Sequence, residues 1–183
     1  MQKFNSAPLP FQGQKRNFLR IYRELLSTLP DDAIFVDLFG GSGLLSHTTR
    51  ALKPHATVVY NDFDNYRARI AAIPTTNALL GRIRPILTEV PRNARLPEAV
   101  RTEVLEVLRK AEGEGFVDYI TLSSSLLFSS KYATSLSEIA REQFYNNVRR
   151  TDYDAAGYLD GLTIASNDYR EVFNQYKNDP RAI

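Results

Sequence analysis

The 183 residues carry 23 Lys or Arg against 21 Asp or Glu, a net charge of +2, and no cysteine. A hydrophobic share of 43% and a charged share of 24% suit one soluble domain with a sizeable core and room for an inserted subdomain. No apolar run approaches about 18 residues, and the N-terminus Met1-Gln2-Lys3-Phe4-Asn5 lacks the apolar core of a signal peptide, which argues against membrane spanning and secretion. The absence of cysteine excludes disulfides and thiolate metal sites and suits a cytoplasmic protein. Two histidines, His47 and His55, are too few for a convincing metal site, so no metal is expected.

Phe18 to Leu29 shows a helical stripe at Phe18, Ile21, Tyr22, Leu25 and Leu26, stopped by Pro30. Ile34 to Asp37 has the character of a buried parallel strand, and it breaks into the glycine-rich turn Phe39-Gly40-Gly41-Ser42-Gly43. A helix resumes from Leu44 to Leu52, and Thr57 to Tyr60 is a second β-branched strand ending at Asn61-Asp62. Another helix is predicted to begin near Asp64, with Asp64 as its cap. Helix, strand, helix, strand, helix over the first 73 or so residues predicts a parallel sheet covered by helices.

The character then changes. Pro74, Pro85, Pro91 and Pro97 predict short helical pieces and turns over residues 75–96. Pro97 to Ala111 is an amphipathic helix with a first-position proline, ended by Gly113 and Gly115. Residues 116–130 are apolar and serine-rich, and fit either a buried helix or a strand. A capping box, Ser135 with Glu138, predicts a helix over residues 135–149. Residues 74–158 therefore form a mostly helical insertion between residues 1–73 and 159–183. Leu162 to Ala165 is a third short strand, Ser166-Asn167-Asp168 a cap, and Tyr169 to Tyr176 a helix. The chain then ends at Asn178-Asp179-Pro180-Arg181-Ala182-Ile183, which resembles the start of a fourth strand that never arrives.

The glycine turn between a buried strand and a helix lets a ligand approach bare backbone, because glycine has no Cβ and tolerates positive φ. Asp62, 21 residues after Gly41, is placed to accept from a ribose, a spacing that suits a nicotinamide cofactor or S-adenosylmethionine equally. Asp37, directly before the turn, separates the two: its carboxylate would repel a pyrophosphate and favour a cofactor carrying an ammonium group. Ser46 stands where a dinucleotide motif has its third glycine, which also disfavours a dehydrogenase.

Taken together, three separated segments resemble the N-terminal part of a DNA adenine N6-methyltransferase of the Dam-like (D12) class. Pro10-Phe11-Gln12-Gly13-Gln14-Lys15-Arg16 is similar to the family's N-terminal cofactor motif. Asp37-Leu38-Phe39-Gly40-Gly41-Ser42-Gly43 is similar to its glycine motif, with Asn61-Asp62 at the ribose position. Asn167-Asp168-Tyr169-Arg170-Glu171 is similar to the strand-three motif that contacts the cofactor adenine. The resemblance implies an incomplete Rossmann-like α/β sheet of the S-adenosylmethionine-dependent methyltransferase type, with the helical insertion as the DNA target-recognition region.

Roles follow from the resemblance residue by residue. Lys15 would meet the methionine carboxylate, Asp37 the ammonium, and the backbone amides of Gly40, Gly41, Ser42 and Gly43 the cofactor. Phe11, Gly13 and Phe39 would line the pocket, Phe11 equally suiting an apolar staple to the first helix. Asp62 would take the ribose hydroxyls or cap a helix, and Asp168 the adenine amino group or only a helix N-terminus, with Tyr169 on the ring. Nine Arg or Lys against four Glu and no Asp between Tyr66 and Lys110 suit either a phosphate footprint or solvated helix faces. Arg82, Arg84, Arg92, Arg95, Lys131, Arg149 and Arg150 are candidates for phosphate contact with double-stranded DNA. The family's catalytic Asp-Pro-Pro-Tyr tetrad does not occur, and Asp179-Pro180-Arg181 is no substitute, so no catalytic residue is assigned. The expectation is a truncated chain, inactive alone, whose open sheet edge favours self-association. Two alternatives stay open: a non-catalytic DNA- or partner-binding remnant with an empty pocket, and an RNA substrate.

Overall fold

The computed structural model describes residues 4–129 and 131–183. Residues 1–3 of the N-terminal reading and Ser130, at the end of the serine-rich stretch, lie outside the described residues. The chain divides into two compact units, Met1–Ile70 with Ala155–Ile183, and Ala71–Asp154. No helix among the described residues is long and apolar enough to cross a membrane.

The first unit is built on a parallel sheet of β1 (Ile34–Asp37), β2 (Thr57–Asn61) and β3 (Thr163–Ala165), in the order β1-β2-β3. In-register pairs run from Ile34 with Thr57 to Asp37 with Tyr60, and from Val59 with Thr163 to Asn61 with Ala165. Alternate side chains enter opposite faces, as the pleat requires. Phe35 and Val58 join Leu26, Ala33 and Ala56 on one face; Ile34 and Val59 meet Val172 on the other. Helices α1 (Leu19–Ser27) and α2 (Leu44–Leu52) pack on each other, and α8 (Tyr169–Tyr176) contributes Val172. The predicted α1 stripe is only partly inward: Leu26 is buried and Tyr22 half-buried, whereas Phe18, Ile21 and Leu25 are exposed.

Three expectations meet the structure here, and the second of them changes. The fourth strand does begin: Arg181 O accepts from Ile34 N–H (2.9 Å), Ile183 N–H donates to Ile34 O (2.8 Å), and Val36 N–H donates to Ile183 O (2.9 Å). Ala182 thus bridges Ile34 in parallel, on the edge of β1 away from β2, because the Asp179 carboxylate caps the turn at Arg181 N–H and feeds the last residues into the sheet. Second, α3 (Tyr66–Ala71) is capped by Asp62, not Asp64: its carboxylate accepts from Tyr66 N–H (2.6 Å) and Arg67 N–H (2.9 Å). Third, α8 starts where predicted, with Asp168 accepting from Arg170 N–H at 2.8 Å.

The second unit is helical. In place of short pieces, α4 runs unbroken over Ile73–Ile86, with Pro74 in its first turn and Pro85 in its last. Both prolines sit where a missing N–H is tolerated or costs one terminal bond. Helix α5 (Glu98–Glu114) packs on α4, passes through Gly113 and stops at Gly115. The serine-rich stretch becomes α6 (Tyr119–Leu126), whose buried hydroxyls are satisfied within the unit: Ser123 donates to Tyr119 O at 2.7 Å, and Asp118 caps Thr121 N–H. The capping serine works, but α7 is only Leu136–Ile139 rather than 135–149. Beyond it the backbone is claimed elsewhere, with Leu96 N–H donating to Phe144 O and Asn146 N–H to Ala94 O, both at 2.9 Å. The core holds Leu80, Ile83, Leu108, Leu122, Leu126, Ile139 and Phe144, all essentially inaccessible.

Candidate functional site

Every strand of the first sheet runs the same way, and the carboxyl end of β1 lies between β2 on one side and residues 181–183 on the other. In open parallel sheets such a switch of connection leaves a crevice beyond the strand ends, where ligands bind. Here the crevice is a cleft of about 300 Å³ lined by Leu38, Phe39, Gly40, Gly41, Asn61, Phe63, Asp64, Asp168 and Tyr169.

The glycines of the turn are there for identifiable reasons. Gly41 and Gly43 have φ of +49° and +71°, in the region that favours glycine. A Cβ on Gly40 would stand 2.3 Å from the Tyr60 ring, so the turn approaches β2 too closely for any side chain. The turn closes through Gly43 N–H to Gly40 O at 2.7 Å. Phe11 lies over Gly41, with its ring 3.1 Å from where a Cβ would be, which brings the N-terminal motif onto the glycine motif. Phe11 also meets the edge of Tyr66, and Arg69 donates to Pro10 O, anchoring that segment.

Asp37 ends β1 just before the turn and, like Phe11, Lys15, Ser42, Gly43 and Asp62, is not among the residues lining the cleft. Its carboxylate accepts from Ser46 Oγ at 2.6 Å. Burial pushes its pKa above the usual carboxylate range, opposed by the Ser46 hydroxyl, the Phe39 amide and the charge of Lys15. Lys15, exposed, donates from Nζ to Gly13 O at 3.2 Å, and Gly13 (φ +79°) makes the bend that carries it. A largely buried carboxylate thus heads the turn, and the charge of an exposed lysine acts on it from the N-terminal segment.

The cleft itself is aromatic and acidic. Phe39, Phe63 and Tyr169 are exposed, with Phe39 and Tyr169 ring centroids 5.1 Å apart. Asp168 lines the cleft while capping α8, so its two readings are compatible. Asp62 is a different case. It is 3% exposed, and besides the two α3 amides it has a share at 3.1 Å in the one Tyr60 hydroxyl proton, whose nearer acceptor is Gly41 O at 2.7 Å. Two of its roughly four acceptor positions are therefore used inside the protein and a third is shared, leaving little for a ribose. Asp64, which lacks that burden, lines the cleft. Asn61, missed as a functional residue, ties the strand ends together: its amide donates to Leu38 O and Asn167 O and accepts from Asn167 N–H. Its position beside Asp62 was the only signal the sequence offered.

In the second unit, four of the seven basic candidates, Arg84, Arg92, Arg149 and Arg150, line one pocket of about 490 Å³. Arg84 is held by Arg149 O and paired with Asp152 (2.8 Å), Arg92 donates to Val148 O, and Arg149 lies 4.2 Å over the Tyr153 ring. The other three are not in it. Arg82 is paired with Glu114 (2.9 Å), holding that carboxyl below its usual range, Lys131 is paired with Glu142, and Arg95 is exposed.

The fold and the site define an α/β domain with a glycine-turn ligand cleft at the carboxyl end of a parallel sheet. No protein-family model matches the chain. A protein of Haemophilus influenzae (strain Rd) described as "Putative methyltransferase" is 38% identical to it over 190 residues, covering 98% of this chain and 62% of that protein. The chain thus spans less than two thirds of the length of the relative it matches.

Proposed function

We propose that this chain binds S-adenosylmethionine and belongs to a DNA adenine N6-methyltransferase, with the second unit meeting duplex DNA. The observation that carries the reading is the buried Asp37 carboxylate at the head of the glycine turn, within reach of the charge of Lys15. A buried carboxylate at the turn with a lysine able to reach it would suit the amino acid zwitterion of the cofactor's methionine end, which no dinucleotide carries. The similarity to a protein described as a methyltransferase points the same way.

The residues fit the group. Asp37 would hold the ammonium, Lys15 the carboxylate, and the amides of Gly40 to Gly43 the chain between them. Asp168 would accept from the adenine amino group, with Phe39, Phe63 and Tyr169 as apolar walls. The ribose would meet the remaining acceptor position of Asp62 or the neighbouring Asp64. When bound, S-adenosylmethionine supplies a methyl group on a sulfonium, and the chain's part is to orient that group and exclude water around Asp37. The Asp-Pro-Pro-Tyr residues that present the adenine in the Dam-like class do not occur in these 183 residues, so no acceptor-side step is assigned to them. The Arg84, Arg92, Arg149 and Arg150 pocket would hold backbone phosphate, positioning DNA without reading its sequence.

Calorimetric titration with S-adenosylmethionine tests the reading. It expects saturable one-to-one binding that Asp37→Ala abolishes; no saturable heat, or binding indifferent to Asp37→Ala, would refute it.

A further inference from the structure

The carbonyls of the glycine turn are held from the protein side by two tyrosines far apart in sequence. Tyr60 Oη directs its one proton chiefly to Gly41 O at 2.7 Å, with Asp62 Oδ1 as the longer second acceptor at 3.1 Å, and Tyr158 Oη donates to Ser42 O at 2.9 Å. Gly40 O is taken by Gly43 N–H and Gly43 O by His47 N–H. Four consecutive carbonyls, 40 to 43, therefore all have a partner within the unit.

In a trans peptide the C=O and the following N–H point in opposite directions. Fixing Gly41 O toward Tyr60 turns Ser42 N–H the other way, and fixing Gly40 O toward Gly43 turns Gly41 N–H away from the turn's interior. Fixing Ser42 O toward Tyr158 sets Gly43 N–H for the bond that closes the turn. We infer that Tyr60 and Tyr158 are positioning residues that aim the turn's free amides at the ligand, and that they hold this aim before any ligand arrives. Preorganised amides cost no reorganisation on binding, which is where their value to affinity lies.

Both tyrosines are themselves locked. Tyr60 is inaccessible, with its ring against Gly40 and 3.4 Å from the Cβ position of Gly43. Tyr158 stacks on His47 (centroids 4.8 Å, 16° between planes), and its own carbonyl bonds His47 Nδ1 at 2.8 Å. Phe4 closes the cluster edge-on to both rings. Burial keeps both hydroxyls protonated far beyond the ordinary tyrosine range, so they remain donors at every working pH. Tyr158 lies just after the chain re-enters the first unit at Ala155, so the end of the insertion leads directly to the brace.

The test uses Tyr60→Phe and Tyr158→Phe, which delete only the hydroxyls, with Tyr119→Phe as control. Tyr119 Oη donates to Glu112 in the second unit, so its loss removes a comparable bond away from the turn. In the ligand-free chain, amide hydrogen exchange and ¹⁵N–¹H shifts should change at Gly41, Ser42 and Gly43 in the first two variants and not in the control. Affinity for S-adenosylhomocysteine should fall about 3- to 10-fold in each, while Tyr119→Phe binds as wild type. Turn amides unmoved in both variants, or affinity lost equally in the control, would overturn the inference. If Tyr60→Phe fails to fold, because Asp62 also loses a donor, Tyr158→Phe decides alone. The affinity arm rests on the proposed cofactor. The ligand-free amide arm does not, so a wild-type chain that binds no cofactor would sink that reading and leave the brace to be judged on exchange.

Discussion

Asp37→Asn separates binding from stability. The carboxylate is partly desolvated, and burial raises its proton affinity in the folded state. A carboxyl whose folded value lies above its unfolded one binds protons more tightly when folded, so stability falls as pH rises through that window and stays lower above it. Asparagine removes the charge and keeps an oxygen that accepts from Ser46 Oγ, now at 2.6 Å from Asp37. The ligand-free variant should therefore melt at the wild-type temperature or above it at pH 7, by scanning calorimetry. Its cofactor affinity should collapse. A hydrogen bond between charged groups contributes about 1.5–3 kcal/mol, which corresponds to roughly 10- to 150-fold in Kd for S-adenosylmethionine. Isothermal titration of both proteins reads this directly. A variant that binds like wild type, or one that is destabilised yet binds normally once folded, would refute the role given to Asp37.

The remaining predictions use other parts of the molecule. Cofactor affinity should weaken as pH falls through the raised Asp37 carboxyl, at a higher pH than for an ordinary aspartate, and the dependence should vanish in Asp37→Asn; titrations between about pH 4 and 8 would show it. Gly40→Ala places a Cβ 2.3 Å from the Tyr60 ring and should cost on the order of 1–3 kcal/mol in denaturant unfolding, whereas Gly81→Ala, in α4 with open space around it, should stabilise by about 0.5–1 kcal/mol. An Arg149→Ala, Arg150→Ala double variant should reduce the log–log salt slope of duplex DNA binding by about 1.8, while Arg82→Ala, whose charge Glu114 already compensates, should leave it nearly unchanged. Equal slopes in all three proteins would remove the second unit's pocket from the DNA surface.

What the sequence revealed and what it hid follow from the range of the forces involved. β1, α2 and α8 match their expected bounds because their signals are local: a β-branched run, a glycine turn, an aspartate one residue before the helix. α4 was hidden because a proline's effect depends on where in a helix it falls, and Pro74 and Pro85 fall at its two ends. The long helix expected after Ser135 was stopped by strand-like pairing of Phe144 and Asn146 with residues 94–96, some fifty positions away, which no local pattern reports. The start of a fourth strand was legible, but its pairing with β1 was not, because Arg181 to Ile183 is too short to show a period. At the site, the glycine turn after β1 and the contact of Phe11 with it follow the order of the motifs in the sequence. The spacing that singled out Asp62 could not say where its carboxylate points, and α3 takes most of it. Tyr158 could not have been found at all, since 116 residues separate it from the carbonyl it holds.

The central claim is that the glycine turn and Asp37 grip the methionine end of S-adenosylmethionine. Its most direct test is a ¹⁵N–¹H titration of the wild-type chain with S-adenosylhomocysteine, with NAD in parallel. The account predicts saturable shifts at Lys15, Asp37, Gly40 to Gly43, Asp168 and Tyr169, with none of comparable size from NAD. An unshifted turn at millimolar S-adenosylhomocysteine, or the same set of shifts from NAD, would contradict it.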